Sequence, residues 1–250
     1  MLDYLIVIPA RWNSSRLPGK PLQDIDGETM IERVVACARR SNASRIVVAT
    51  DHAEIMRVLA DKVETVMTNP EAKSGTDRIA EAIETLQIDD EKVIVNLQGD
   101  EPLMPSICLD QVAENLIQSR ADMATLCSEF GLDEELNETA SVKVVTSNSG
   151  RALYFSRASI PFDRDSIGFE AGDVMRHIGL YAYKASFIRQ FVRWPVARIE
   201  ELEQLEQLRA MHHDAMIHVD KARAPVLPGV DTQADLDRVR QHFQGDVSNA

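Results

Sequence analysis

The sequence predicts an α/β fold: a mainly parallel sheet with a smaller second lobe that contains antiparallel strands. Three observations carry this. The chain opens on a continuous apolar run over residues 5–8, which reads as a strand buried on both faces and bounded by Pro9. Apolar strands then alternate with amphipathic helices as far as residue 97, the rhythm of βαβ units joined by right-handed crossovers. Beyond that the rhythm gives way to closely spaced strands around a turn-rich segment. At 250 residues the chain can bury the core of one such domain with an appendage.

Taken in order, the first helix follows Gly27 and sets Met30, Ile31, Val34, Val35 and Ala38 on one face. Residues 45–50 form the next strand, followed by a helix carrying Ile55, Val58 and Leu59. A short strand over 63–67 leads to a helix over 75–86 with Ile79, Ala82, Ile83 and Leu86 inward, and residues 92–97 form another buried strand. Residues 141–145 and 152–156 flank Thr146-Ser-Asn-Ser-Gly150, a hairpin pattern. The acidic stretch 161–172 reads as a mobile loop over a cleft. A strand over 177–183, one helix over 198–211 with Ile199, Leu202, Leu205 and Leu208 inward, and a last helix over about 232–243 with a frayed end complete the reading. Residues 1–127 and 216–250 make the larger lobe, and 128–215 the smaller one, with the site in the cleft between them.

Composition narrows the function classes. Forty acidic against 27 basic residues leave a net charge of −13, which argues against nucleic-acid or anionic-membrane binding. No apolar run reaches the roughly 18 residues of a membrane span. Three scattered cysteines without metal spacing read as buried thiols, and no basic-then-apolar leader opens the chain. A soluble cytoplasmic protein is expected.

Within this acidic chain, Arg11, Arg16 and Lys20 gather in a Pro/Gly-rich loop just after the first strand. That is the carboxyl end of a strand, where open α/β sheets bind ligands. Three cations there suit a polyphosphate. Asp100 follows a strand behind Gly99 and is placed to grip a hard cation; beside a glycine it is also an ordinary turn residue. Asp231 precedes the last helix, where capping with Thr232 and Asp235 is its ordinary role. Ser74-Gly-Thr-Asp-Arg78, between strand and helix, reads alone as a helix cap. Gln98 offers donor and acceptor to a ligand rich in hydroxyls. His177 and Tyr181 are four apart on a strand, hence on one face, although a lone histidine there is ordinarily a packing residue. Glu206 and Gln207 read alone as a solvated helical face. No G-x-G-x-x-G follows the first strand, which disfavours a dinucleotide oxidoreductase.

Pro9-Ala-Arg11 and Ser15-Arg-Leu-Pro-Gly-Lys-Pro-Leu22 resemble the signature loop of the bacterial sugar-acid cytidylyltransferases, most closely the 3-deoxy-manno-octulosonate (KDO) cytidylyltransferase family. Ala49-Thr-Asp51, Ser74-Gly-Thr-Asp-Arg78, Val95-Asn-Leu-Gln-Gly-Asp-Glu-Pro102, Arg176-His-Ile-Gly-Leu-Tyr181, Leu205-Glu-Gln-Leu-Arg209 and Gly229-Val-Asp-Thr232 match in order, nearly to the end of the chain. The resemblance implies a Rossmann-like nucleotidyltransferase sheet. It also implies activation of an eight-carbon keto-sugar acid by CTP, with release of pyrophosphate, for lipopolysaccharide biosynthesis. Arg11, Arg16 and Lys20 would serve the triphosphate and leaving pyrophosphate, and Asp100 with Asp231 would hold Mg²⁺. Pro9, Ala10, Ser74, Gly75, Arg78 and Gln98 would contact the nucleotide. Gln98, Arg157, His177, Tyr181, Glu206 and Gln207 would contact the sugar acid. A homodimer is also implied, and strands around Tyr154 and Tyr181 would otherwise leave open edges. One departure concerns the sugar: Leu227-Pro228 stands where the family usually has Gly-Thr, which opens KDO against its 8-amino relative. Another sugar acid, such as a sialic acid, and a non-catalytic nucleotide-binding regulator are the competing readings.

Overall fold

Alternation along the first strand sets the architecture. In β1 (Tyr4–Ala10), wholly buried, Tyr4, Ile6 and Ile8 pack on one face of the sheet while Leu5 and Val7 pack on the other. The computed structural model describes residues 2–14, 16–130, 136–170 and 172–247. After β1 come a 3₁₀ turn at Lys20–Leu22, the small pair β2 (Asp24–Ile25) and β3 (Glu28–Thr29), α1 (Met30–Arg39), β4 (Arg45–Thr50), α2 (Ala53–Leu59), β5 (Glu64–Met67), α3 (Gly75–Thr85) and β6 (Val93–Asn96). Then follow α4 (Ser106–Ser119), β7 (Met123–Glu129), β8 (Lys143–Thr146), β9 (Ala152–Ser156), β10 (Met175–Lys184), α5 (Ala185–Phe191), α6 (Arg198–Glu203), α7 (Gln207–His212), β11 (Ile217–Lys221) and α8 (Gln233–Val247).

The main sheet has nine strands, seven of them in the order β11-β7-β10-β6-β1-β4-β5. β1 pairs in parallel with β4 and β6, β4 with β5, and β7 with β11, whereas β10 runs antiparallel between β6 and β7. The hairpin β8–β9 joins at the start of β10, where Met175 and Arg176 pair with Val144 and Lys143. Helices α1, α2 and α4 cover one face through Val34, Ile55, Leu109 and Val112; α3, α5 and α7 cover the other through Ile79, Ile83, Ile188 and Leu208. A third cluster of Leu17, Ile25, Met30, Val230, Leu236 and Val239 clamps the loop after β1 against the segment leading into α8. That cluster brings two regions more than 200 residues apart in sequence to one place.

Several expectations need correction. The single helix over 198–211 is two: Gln204 adopts a left-handed φ of 53°, ends α6, and turns Leu205 inward while Leu202 stays 66% exposed. The last helix runs on to Val247, and the frayed end expected beyond it lies outside the described residues. Tyr181 sits on an interior strand with partners on both sides, so it leaves no open edge; of the two tyrosines it is Tyr154 that lies on an edge strand, β9, beside an exposed Leu153. The acidic stretch 161–172 is irregular in its described residues, with Asp163 accepting from the amides of Ile167 and Gly168. Cys37, Cys108 and Cys127 are buried free thiols. No helix among the described residues is long and apolar enough to cross a membrane.

Candidate active site

The carboxyl ends of β1 and β6 open into two adjoining cavities, about 1490 and 820 Å³, that share Arg11, Gln98, Asp100, Glu206 and Asp231. Gly99 is what lets the two strand ends close: a Cβ there would lie 2.8 Å from the Pro9 carbonyl oxygen. Gly229 makes the matching approach, since its Cβ would lie 2.8 Å from Glu101 Oε1 and 3.1 Å from the Asp100 carbonyl, and the Val230 amide donates to that carbonyl at 2.9 Å. Asp100 and Asp231 are thereby brought together across 131 residues of chain.

Lys20 joins them. Its Nζ donates to Asp100 Oδ2 at 2.6 Å, to the Val230 carbonyl at 2.9 Å and to Asp231 Oδ1 at 3.1 Å. Arg16 pairs with the other oxygen of Asp231 at 3.1 Å on the exposed side. The left-handed φ of 63° at Gly19 starts the 3₁₀ turn that aims Lys20 inward. Arg11 lines both cavities, and its side chain has no ion-pair partner among the described residues. Glu101 packs behind this locus, where burial and then Asp100 push its carboxyl up to about 8.

Two facing carboxylates and a carbonyl already held by a cationic group are hard oxygen donors of the kind a divalent cation takes. Among the described residues no group of three or more His, Cys, Asp or Glu is arranged to hold a metal ion by itself. Asp100 and Asp231 therefore fit a cation that completes its shell with ligand oxygens and water, which is the habit of Mg²⁺ at phosphates.

The larger cavity is floored by Pro9 and Ala10 and walled by the start of α3. Ser74 caps that helix, with Ser74 Oγ accepting from the Asp77 amide at 3.2 Å and Asp77 Oδ2 from the Ser74 amide at 3.1 Å. Gly75 lies against Pro9 and Gln98, where a Cβ would meet Pro9 Cγ at 3.4 Å. Arg78 reaches this cavity with only 3% exposure. Its guanidinium is committed to Asp51 Oδ2 at 3.0 Å and to the Thr68 hydroxyl, and Asp51 Oδ1 also accepts from the Trp12 amide at 2.8 Å. In this structure Arg78 and Asp51 brace α3 against the cationic loop.

The smaller cavity gathers Arg157, His177, Tyr181, Glu206 and Gln207 with Leu227 and Pro228. His177 and Tyr181 share a face as expected, their rings 5.3 Å apart. Arg157 donates Nε to the Glu203 carbonyl at 2.7 Å and NH1 to the Thr139 carbonyl at 2.7 Å, which fixes it as part of the wall. Glu206 Oε2 accepts from Thr76 at 2.9 Å. Burial and the Glu206 carboxylate hold the Tyr181 phenol far above its ordinary range. Three buried polar atoms here have no hydrogen-bond partner among the described residues: Tyr183 OH, Glu206 Oε1 and Gln207 Nε2. Buried orphans of this kind cost about 1–3 kcal/mol each, so a ligand rich in hydroxyls is the natural complement.

Sequence reasoning missed Tyr183, Thr76, Glu101 and the bracing role of Asp51. Tyr183 was in principle legible, two residues beyond Tyr181 and so on the same strand face. Arg176 carried no local signal for its placement; it donates NH2 to the Val226 carbonyl at 3.0 Å beside the buried Glu101.

A sequence model described as cytidylyltransferase matches residues 5–217. The 3-deoxy-manno-octulosonate cytidylyltransferase of Serratia proteamaculans is 48% identical over 249 residues, covering 98% of this chain and 100% of that one. The corresponding protein 1 of Actinobacillus pleuropneumoniae serotype 5b is 47% identical over 247 residues, covering 96% and 99%. Among solved structures, a CMP:2-keto-3-deoxy-manno-octonic acid synthetase complexed with CTP superposes with a TM-score of 0.90 at 35% identity, covering 98% of this chain and 99% of that one. A nucleotidyl transferase of Methanothermobacter, 16% identical with a TM-score of 0.63 over 97% and 98% of the two chains, shares the fold. The chain belongs to the cytidylyltransferases, and among them to the 3-deoxy-manno-octulosonate cytidylyltransferase family.

Proposed function

We propose that this protein couples CTP to 3-deoxy-manno-octulosonate for lipopolysaccharide assembly. The anomeric hydroxyl oxygen of the sugar bonds to the α-phosphorus of CTP, the bond to the bridging oxygen breaks, and pyrophosphate leaves; the hydroxyl proton is released. The observation that carries this reading is the meeting of two cavities at Arg11, Gln98, Asp100 and Asp231, one bordered by Arg11 and Lys20 of the cationic loop, the other lined by orphaned hydrogen-bonding groups. In-line attack needs the two substrates held end to end at one point, and little covalent help from the protein.

Pro9, Ala10, Ser74 and Gly75 offer the nucleotide a close backbone at the capped start of α3, with Arg78 holding that wall in place. Arg11 and Lys20 receive the triphosphate, and Arg16 the departing pyrophosphate. Asp100 and Asp231 hold Mg²⁺, which when bound neutralises phosphate charge and favours ionisation of the attacking hydroxyl. Loading then requires Lys20 Nζ to give up at least one carboxylate and turn to the phosphates. Gln98, His177, Tyr181, Glu206 and Gln207 bind the sugar acid, inside a wall that Arg157 stiffens. The exposed β9 edge supplies a surface for a homodimer.

A second reading concerns the sugar alone. Glu206 Oε1 is a buried carboxylate oxygen with no partner, in the cavity that Leu227-Pro228 also lines. A charge-assisted bond to an ammonium would favour the 8-amino relative of KDO. Steady-state pyrophosphate release with CTP and Mg²⁺ against KDO, its 8-amino analogue and a sialic acid tests both readings. Turnover with a KDO-type sugar supports the proposal, and turnover with sialic acid alone, or with none, overturns it.

A further inference from the structure

Strand β10 carries a break in register beside the sugar cavity. Ile178 pairs with Leu126 and Tyr181 with Thr125, so Gly179 and Leu180 bulge out of the ladder. The bulge folds around the Thr125 side chain, which is fully buried. Thr125 Oγ1 lies 2.9 Å from the Ile178 carbonyl oxygen, 2.8 Å from that of Leu180 and 3.0 Å from His177 Nε2.

Donor arithmetic fixes what these contacts are. A threonine hydroxyl has one proton, and a carbonyl oxygen only accepts. Two carbonyl oxygens within 2.9 Å of Oγ1 are compatible with attraction only if the hydroxyl proton points between them. Oγ1 is then an acceptor toward its third neighbour, and Nε2 of His177 must carry a proton. Burial depresses the imidazole to about 3, so the ring is neutral and its other nitrogen bare. Nδ1 has no partner among the described residues, on a ring that lines the cavity between Phe155 and Tyr181.

We propose that Thr125 is a positioning residue that fixes His177 as the Nε2–H tautomer, so that Nδ1 meets the sugar as an obligate hydrogen-bond acceptor. The sugar group that lies against His177 must therefore be a donor, a hydroxyl or an ammonium, and the same carbon bearing hydrogen or an ether is rejected. This rests on the sugar-binding reading of the cavity. The bulge has its own purpose in this scheme: it supplies the two carbonyls that commit the Thr125 proton, so a backbone irregularity sets the chemistry of a side chain.

The test is a long-range ¹⁵N–¹H correlation spectrum of the histidine-labelled, ligand-free protein, with the His177 signals assigned by their loss in His177→Gln. A protonated Nε2 and an unprotonated Nδ1 are expected. Thr125→Val removes the hydroxyl at similar volume and should shift the ring toward the other tautomer, raise KM for the sugar acid about tenfold and leave KM for CTP unchanged; Thr125→Ser should restore both. A protonated Nδ1 with bare Nε2 in the wild type, or an imidazolium at neutral pH, would overturn the proposal even if no variant folds. So would a folded Thr125→Val with unchanged spectrum and unchanged sugar KM. If no sugar acid is turned over, the proposed function fails, and the wild-type spectrum still decides the tautomer.

Discussion

Replacing Lys20 with methionine removes the group that ties the two aspartates together and retains most of its length. The Lys20 side chain is 15% exposed; its partner Asp100 is 29% exposed and Asp231 is 52% exposed. Charged hydrogen bonds in partly buried settings contribute about 1.5–3 kcal/mol, and exposed ion pairs less than about 1 kcal/mol. The first class applies to Asp100 and the second to Asp231. Lys20→Met should therefore cost about 2 kcal/mol in the presence of chelator, a fall in Tm of about 4–8 °C at this chain length. A Pro/Gly-rich loop alone would suggest less than about 1 kcal/mol; the three anchors at 2.6–3.1 Å raise the figure. Millimolar Mg²⁺ should recover most of the lost Tm in the variant, because a cation between the carboxylates replaces the missing ammonium. The kcat for pyrophosphate release should drop by about a hundredfold or more, since the triphosphate loses a charge that stabilises the transition state. Thermal melts in EDTA and in Mg²⁺, paired with steady-state kinetics, read all three quantities. An unchanged Tm in chelator would refute the bridging role, and an unchanged kcat would refute the phosphate role.

Asp100→Asn and Asp231→Asn should each lower kcat by about a hundredfold or more; normal turnover in either variant removes that residue from the metal assignment. Acid stability offers a further check on His177. Its folded pKa, about 3, lies below the ordinary value near 6.5, so between those pH values the unfolded chain binds a proton that the folded one does not, and stability falls on acidification. His177→Gln should flatten the loss between pH 6.5 and 4.5 by at most about 1.4 kcal/mol per unit, read by urea denaturation; equal slopes in the two proteins would contradict the burial argument. KDO and its 8-amino analogue should differ at least about tenfold in kcat/KM, with the lean toward the amino sugar, and Glu206→Gln should erase the preference; equal values in the parent protein would mean that no group here reads the substituent.

The first half of the molecule was legible because its chemistry is local. Residues 5–8 are uniformly apolar, the helices after them keep one apolar stripe, and Arg11, Arg16 and Lys20 follow within one loop. The central elements α4, β7, α5 and β11 left weaker traces. In α4 the buried face includes Gln111 and Asn115, polar residues satisfied by Asp220 and the Lys221 carbonyl, so the 3.6-residue pattern is blurred. In β7 the sequence Met-Ala-Thr-Leu-Cys-Ser-Glu has one β-branched residue, and its strand character comes from partners on both sides. Gln204 gave no sign of its left-handed turn, which is why one helix was expected where two stand. At the site, residue types were readable but commitments were not. Arg78 and Arg157 look like free cations in sequence; in the fold, Asp51 and a set of backbone carbonyls occupy them.

The proposed meeting of nucleotide and sugar at Arg11, Gln98, Asp100 and Asp231 is tested most directly by product stoichiometry. The purified protein is incubated with CTP labelled in the cytidine, with KDO or its 8-amino analogue, and with Mg²⁺, and the products are separated and counted. One CMP-linked sugar per pyrophosphate is expected, with no product when the sugar or Mg²⁺ is omitted. Pyrophosphate formed without sugar, or none formed with either sugar, would contradict the account.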